Sequence, residues 1–208
     1  MRKAVIFVFL FLPFLCFADF YKATVTMNDG SVKKGFVELP EYPDDAKIKF
    51  RLEEKGKNEK LDVNDVKEFE IINDKGDVVK YATVYLADPK PFTKDQFTLG
   101  KKKSWAKVFK EGGITIYYAY AAYSPGTGTG GYGSSYVMKK GDTHAYFIMD
   151  GGSKGLNFNM NGFHNFKKYF TRIFEKDCPK LIELVTKEDL NKNGLSYLVD
   201  LFENNCVK

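Results

Sequence analysis

The sequence predicts an α+β protein, an antiparallel β-sheet or half-barrel followed by two or three C-terminal helices. Three observations predict it. Between residues 19 and 150, short runs rich in β-branched and aromatic side chains are punctuated by turn signals such as Asn28-Asp29-Gly30 and Lys140-Gly141-Asp142. From Phe163 onward the apolar residues recur at three- and four-residue steps instead. Two cysteines, Cys178 and Cys206, bracket the end of that helical stretch.

The first strand runs from Tyr21 to Met27, and Asn28-Asp29-Gly30 turns it into a return strand, Ser31 to Leu39. Gly35 marks a bulge or bend in that strand. Pro40 to Asp45 is a loop. Lys47 to Leu52 alternates, with Ile48, Phe50 and Leu52 on one face. Leu61 to Val66 holds a tight turn between short strands. Phe69 to Ile72 and Val78 to Leu86 are the next strands, joined at Asn73-Asp74-Lys75-Gly76-Asp77. Short strands at this spacing describe a small, strongly bent sheet.

The segment 87–100 carries Pro89 and Pro91 and few apolar anchors, so a boundary between two sheet regions is placed there. Lys101-Lys102-Lys103 reads as an exposed loop. Trp105 to Lys110 suits one helical turn or, with a hairpin at Glu111-Gly112-Gly113, a strand; the strand is the reading adopted. Ile114 to Asp150 then supplies three antiparallel strands, which form the expected centre of the sheet.

Phe163, Phe166, Tyr169, Phe170, Ile173 and Phe174 give the first helix an aromatic face toward the core. Asp177 or Cys178 caps a second helix with Pro179 in its first position. Leu195, Leu198, Val199, Leu201 and Phe202 define a third. The expected organisation is a leader at 1–18, a β half-barrel at 19–88, an antiparallel sheet with a glycine-rich loop at 89–150, and a helical region at 151–208.

The leader reading rests on Met1-Arg2-Lys3, the apolar run Ala4 to Phe17, and Ala18 before polar Asp19. The run is shorter than the ~20 residues of a membrane span, so no transmembrane span is expected in the mature chain. Leu15 stands before Cys16 where a lipidation site wants a small residue. Without Arg2 and Lys3, the formal charge falls from +5 to +3, since 32 − 2 = 30 basic residues face 27 acidic ones. Basic and acidic residues are interspersed, which argues against a nucleic-acid partner. Periplasmic or secreted placement follows, and there an even cysteine count predicts a Cys178–Cys206 disulfide.

The order of strand, Asp-Gly turn, Gly35 strand, Lys47-Ile48-Lys49-Phe50 and Asp62-Val63-Asn64-Asp65-Val66-Lys67-Glu68-Phe69 resembles the start of uncharacterised exported proteins of Bacteroidota bacteria. Glu111 to Tyr117, the Lys139 to Asp142 turn, and Asp177-Cys178-Pro179-Lys180-Leu181 are similar to that group too. The N-terminal part also resembles SH3-like or Sm-like barrels in strand rhythm. These resemblances imply export and architecture, and bring no catalytic residues.

Candidate chemistry is sparse. Gly126 to Gly131 satisfies G-x-G-x-x-G, but a strand follows at Tyr136 where dinucleotide binding needs a helix N-terminus. Tyr120, Tyr123, Tyr132 and Tyr136 flank this loop and form a candidate partner-contact surface. Asp189, Asn191, Asn193 and Leu195, with Asp200 at the twelfth position, match the spacing of a calcium-binding EF-hand loop. Against calcium, Asp200 is shorter than the usual glutamate and Ser196 replaces a branched apolar residue. An Asn193-Gly194 turn between helices accounts for the same residues. The only histidines are His144 and His164, and no hydrolase, zinc or redox motif includes them. The expectation is an exported non-enzymatic binding module with no cofactor, calcium aside, whose partner is an envelope protein or glycan. The alternative is a hydrolase of glycan or peptidoglycan using dispersed carboxylates.

Overall fold

The computed structural model describes residues 19–90, 92–93, 96–121, 132–151 and 160–207. Among them are ten strands and four helices. The strands are β1 (Phe20–Met27), β2 (Val32–Glu38), β3 (Lys47–Arg51), β4 (Glu59–Asp62), β5 (Val66–Ile72), β6 (Val78–Pro89), β7 (Phe97–Lys110), β8 (Ile114–Ala121), β9 (Tyr132–Lys139) and β10 (His144–Asp150). They form one sheet in the order β10-β9-β8-β7-β6-β5-β1-β2-β3-β4. The helices follow as α1 (Met160–Phe174), α2 (Pro179–Leu184), α3 (Lys187–Asn193) and α4 (Tyr197–Cys206). The α+β class is as expected.

The expected half-barrel is not exact: the sheet closes fully, as a five-stranded barrel of β6 to β10, of which only β6 falls in the region 19–88. The reason lies in β6, which changes partner along its length. Val78–Ala82 pair with β5, while Tyr85–Ala87 pair with His144–Tyr146 of β10 on the same edge. A bulge between Tyr85 and Ala87 on the β7 side lets the strand bend where the exchange occurs. The β10–β6 pairing is parallel, so the sheet is not purely antiparallel. β6, more than the segment 114–150, is the element the chain is organised around.

Alternation sorts the barrel's side chains into two cores. Inside the barrel lie Val84, Ala106, Tyr117, Ala119, Tyr136, Ala145 and Phe147. Small alanines face large rings, which suits the narrow interior of a five-stranded barrel. On the outer face Ile114, Ile116, Val137 and Ile148 are covered by Phe166, Phe170 and Phe174 of α1 and by Leu198 and Val199 of α4. α4 approaches so closely that a Cβ on Gly112 would lie 2.6 Å from Val199 Cγ1. The Gly113 N–H donates to Glu203 Oε1 at 3.1 Å.

The third core belongs to β1 to β5. Val25, Val37, Ile48, Phe50, Leu61 and Phe69 are buried together with Trp105 from β7. Leu52, expected on this face, lies beyond the end of β3 and is exposed. Trp105 joins the two halves. Its backbone N–H donates to Pro43 O at 2.8 Å, and its indole Nε1–H to Asp45 O at 2.7 Å. Its ring meets Phe69 edge-on at 5.7 Å.

Of the segment 87–100, residues 87–89 belong to β6 and 97–100 to β7, and Lys101-Lys102-Lys103 lies within β7. Gly35 sits where β2 crosses β3. A Cβ there would lie 2.1 Å from Arg51 O and 2.7 Å from the Phe50 ring. Gly35→Ala is therefore expected to destabilise by about 3 kcal/mol, since backbone and a packed ring must both move. A urea titration followed by circular dichroism reads this as a lowered midpoint.

Cys178 and Cys206 form the expected disulfide, with Cα atoms 5.7 Å apart. Cys178 is also the N-cap residue of α2, and Pro179 opens that helix. Among the described residues, no helix is long and apolar enough to cross a membrane. The leader 1–18 lies outside the described residues.

Candidate functional site

Of the four tyrosines, Tyr120 and Tyr136 do not share a surface. Tyr136 pairs across the sheet with Tyr117, and both point into the barrel. Tyr120 lies three residues from Tyr117, so it emerges on the opposite face and is 49% exposed. There it stacks on Tyr118 at 6.0 Å, which stacks on Phe109 at 5.6 Å. Tyr132 opens β9 opposite Ala121. Tyr123 and the glycine run 126–131 lie outside the described residues.

Tyr136 serves a different purpose. Its hydroxyl donates to Asp88 Oδ1 at 2.9 Å, while Ser134 Oγ donates to Asp150 Oδ1 at 2.9 Å. The buried Ser135 donates to Gly151 O at 2.7 Å. These bonds tie together the ends of β6, β9 and β10 at one mouth of the barrel. Burial, and then the charge of Asp88, push the Tyr136 hydroxyl far above its ordinary range. It therefore keeps its proton and acts as a donor, not as a base or nucleophile. The carboxylates it might have served, Asp88 and Asp150, each already accept a hydroxyl.

A pH dependence follows. Tyr81, Tyr117 and Tyr136 are all pushed upward, chiefly by burial. A raised folded-state value leaves stability intact below about pH 10, where the unfolded chain begins to titrate, and removes it as pH rises further. Tyr136 alone is expected to remove up to about 1.4 kcal/mol per pH unit above that point. Tyrosinate absorbance should appear together with loss of circular dichroism, and Tyr136→Phe should make the alkaline loss shallower.

The calcium loop does not form. Asp189, Asn191 and Asn193 lie in helix α3. Residues two apart on a helix point about 200° apart, so their oxygens cannot converge on one ion. Asp189 is instead engaged at the start of α3. Thr186 Oγ1 accepts from the Asp189 N–H at 3.1 Å and donates to Asp189 Oδ2 at 2.7 Å. Leu195 is fully buried, and Asp200 pairs with Lys110. Among the described residues no group of His, Cys, Asp or Glu has metal-binding placement.

The site sequence reasoning missed is an open groove of about 1060 Å³ between α1 and the β9–β10 turn. His164, Lys168, Arg172 and Lys176 line one wall. The first three are spaced by four residues along α1, each turned about 40° from the last, and Lys176 lies beyond the end of the helix. That spacing was legible in the sequence, but the aromatic stripe on the other face of α1 drew the reading toward the core. Phe97 and Tyr146 line the groove edge to face, with ring centroids 5.2 Å apart and planes at 75°. The Arg172 guanidinium lies 5.2 Å from the Tyr169 ring centroid.

The opposite wall is the turn. Lys139 is held by Asp177, whose carboxyl is kept below its usual range by that lysine. Asp142 Oδ2 is buried in this wall and has no hydrogen-bond partner among the described residues. Lys168 and Lys176 form no salt bridge among the described residues, although Lys176 adds to the positive field that lowers Asp177. The groove therefore offers the exposed side chains of His164, Lys168 and Lys176 beside the half-buried rings of Phe97 and Tyr146. Compared with family models, with curated proteins and with solved structures, the chain finds no match in any of the three.

Proposed function

We propose that the chain is an exported, non-enzymatic binding module of the cell envelope, and that the groove between α1 and the β9–β10 turn is its contact surface. The observation that carries this reading is the open groove of about 1060 Å³ lined by the exposed His164, Lys168 and Lys176 and by the rings of Phe97 and Tyr146. Such a surface attracts and orients a charged partner without a reacting group. Export is supported by the basic start and apolar run of residues 1–17, by the Cys178–Cys206 bridge, and by the resemblance to exported Bacteroidota proteins.

The test is capture from the source envelope by the mature chain, with glycan and peptide fractions separated. Wild-type protein is expected to retain a ligand that Lys168→Glu/Lys176→Glu does not, at equal thermal stability. Equal retention by both would remove the groove from the reading. The hydrolase alternative draws on Asp88 and Asp150 at the barrel mouth, where both are occupied by hydroxyl donors. Release of reducing sugar ends by wild type, lost in Asp88→Asn or Asp150→Asn, would establish it instead.

A further inference from the structure

We infer that the β6–β7 hairpin is a docking tip for an anionic lipid bilayer, a second contact surface that does not depend on the groove. Phe92 stands at the end of this hairpin with its side chain fully exposed. It occupies the third position of a turn closed by Lys90 and Thr93. The Thr93 N–H donates to Lys90 O at 3.4 Å, and Thr93 Oγ1 donates to the same oxygen at 2.9 Å. The Phe92 φ is 61°, a left-handed conformation that is costly for a bulky residue and that glycine adopts freely. Among the described residues, the five other left-handed positions are all glycine. An exposed apolar side chain by itself is ordinary. A phenylalanine kept where the backbone favours glycine is explained neither by packing nor by the turn, which leaves contact with a partner as its use.

The charges beside it indicate the partner's chemistry. Between the pairs Tyr85–Lys103 and Ala87–Leu99, β6 has one residue and β7 has three, Gly100, Lys101 and Lys102. This bulge breaks the alternation of β7, and both of its lysines are exposed. Lys101, Lys102 and Lys103 form no salt bridge among the described residues. Lys90 Nζ donates to the neutral Gln96 Oε1 at 3.3 Å. Residues 89–103 carry five lysines against one carboxylate, Asp95. Leu99 adds a second exposed apolar side chain between the bulge and the tip. In a bilayer the apolar tip enters among the acyl chains while the lysines meet lipid phosphates, which move to match them and need no fixed register. One apolar anchor with a few lysines gives weak, reversible attachment that salt screens.

The experiment is co-sedimentation of residues 19–208 with vesicles of phosphatidylcholine alone, or of phosphatidylcholine and phosphatidylglycerol in equal parts. The apolar run of residues 4–17 is left out because it would bind lipid itself. Binding is expected to the mixed vesicles only, and to weaken as salt rises. Lys101→Ala/Lys102→Ala should weaken it by about tenfold or more. Phe92→Gly should also weaken it by about tenfold or more, yet leave the melting temperature equal or higher, a combination that loss of folding cannot produce. Phe92→Trp should retain binding, with its emission moving to the blue as mixed vesicles are added, against a constant signal from the buried Trp105. Equal binding to both kinds of vesicle, or undiminished binding by Phe92→Gly, would overturn the proposal. So would absence of binding to either, and if Phe92→Gly then lost an envelope protein that wild type captures, the tip's partner would be that protein and not a bilayer.

Discussion

Trp105→Ala is expected to destabilise the protein by about 3–5 kcal/mol, the range for removing a large, fully packed aromatic side chain. Trp105 is only 2% exposed and lies in the core of β1 to β5, although it belongs to β7 of the barrel. Removing it opens a cavity against Phe69 and leaves Asp45 O without its donor. Trp105→Phe separates the two effects. It retains most of the packing but not the indole N–H, so about 1–2 kcal/mol should be lost. Circular dichroism during urea unfolding measures both. Trp105 is also the only tryptophan in the chain, so its wild-type fluorescence reports directly on the junction between the halves.

Replacing Cys178 and Cys206 by serine is expected to cost about 3–4 kcal/mol, from the chain-entropy value for closing a loop of this length. The bridge spans a sequence separation of 28 and encloses α2, α3 and α4. Those helices are short, and helices of this length have little stability of their own. Reductant should lower the wild-type melting temperature to that of the double-serine variant and leave the variant unmoved. Hydrogen exchange should show the loss first in α2 and α4. An unchanged midpoint on reduction would mean that the packing of Leu181, Leu195 and Leu198 suffices without the bridge.

Local features were legible in the sequence, and features made by distant contacts were not. The β1–β2 hairpin followed from Asn28-Asp29-Gly30, and α1 from its aromatic spacing. Pro179 marked the start of α2. These signals act within a few residues. The barrel closure did not show, because the pairing of residues 85–87 with 144–146 leaves no mark in either strand's own pattern. Lys101-Lys102-Lys103 resembled a loop because charge outweighed the strand propensity around it, yet β7 carries these lysines across the sheet. Helix α3 was hidden by the Asn193-Gly194 signal at its end. Thr186 and Asp189, one turn earlier, carried the capping pattern that marks its start.

The separation of Tyr120 from Tyr136 has a related reason. Sequence proximity to the glycine-rich stretch suggested one cluster, but the two-residue repeat of a strand sends Tyr120 and Tyr136 to opposite sides of the wall. The groove is the converse case. Its basic residues recur at four-residue spacing in the sequence, but Phe97 and Tyr146 come from β7 and β10, and only the fold brings them together.

The seam between β10 and β6 has a kinetic consequence. A chain emerging from its N-terminus can complete the β1 to β5 meander early, because its pairings are mostly between neighbours. The C-terminal half of β6 must then wait for β10 with one edge unsatisfied. Such long-range, parallel closure is slow, and the waiting edge is open to pairing with another molecule. Yield on refolding should therefore fall with protein concentration, and variants that weaken the seam should aggregate before they lose the N-terminal sheet.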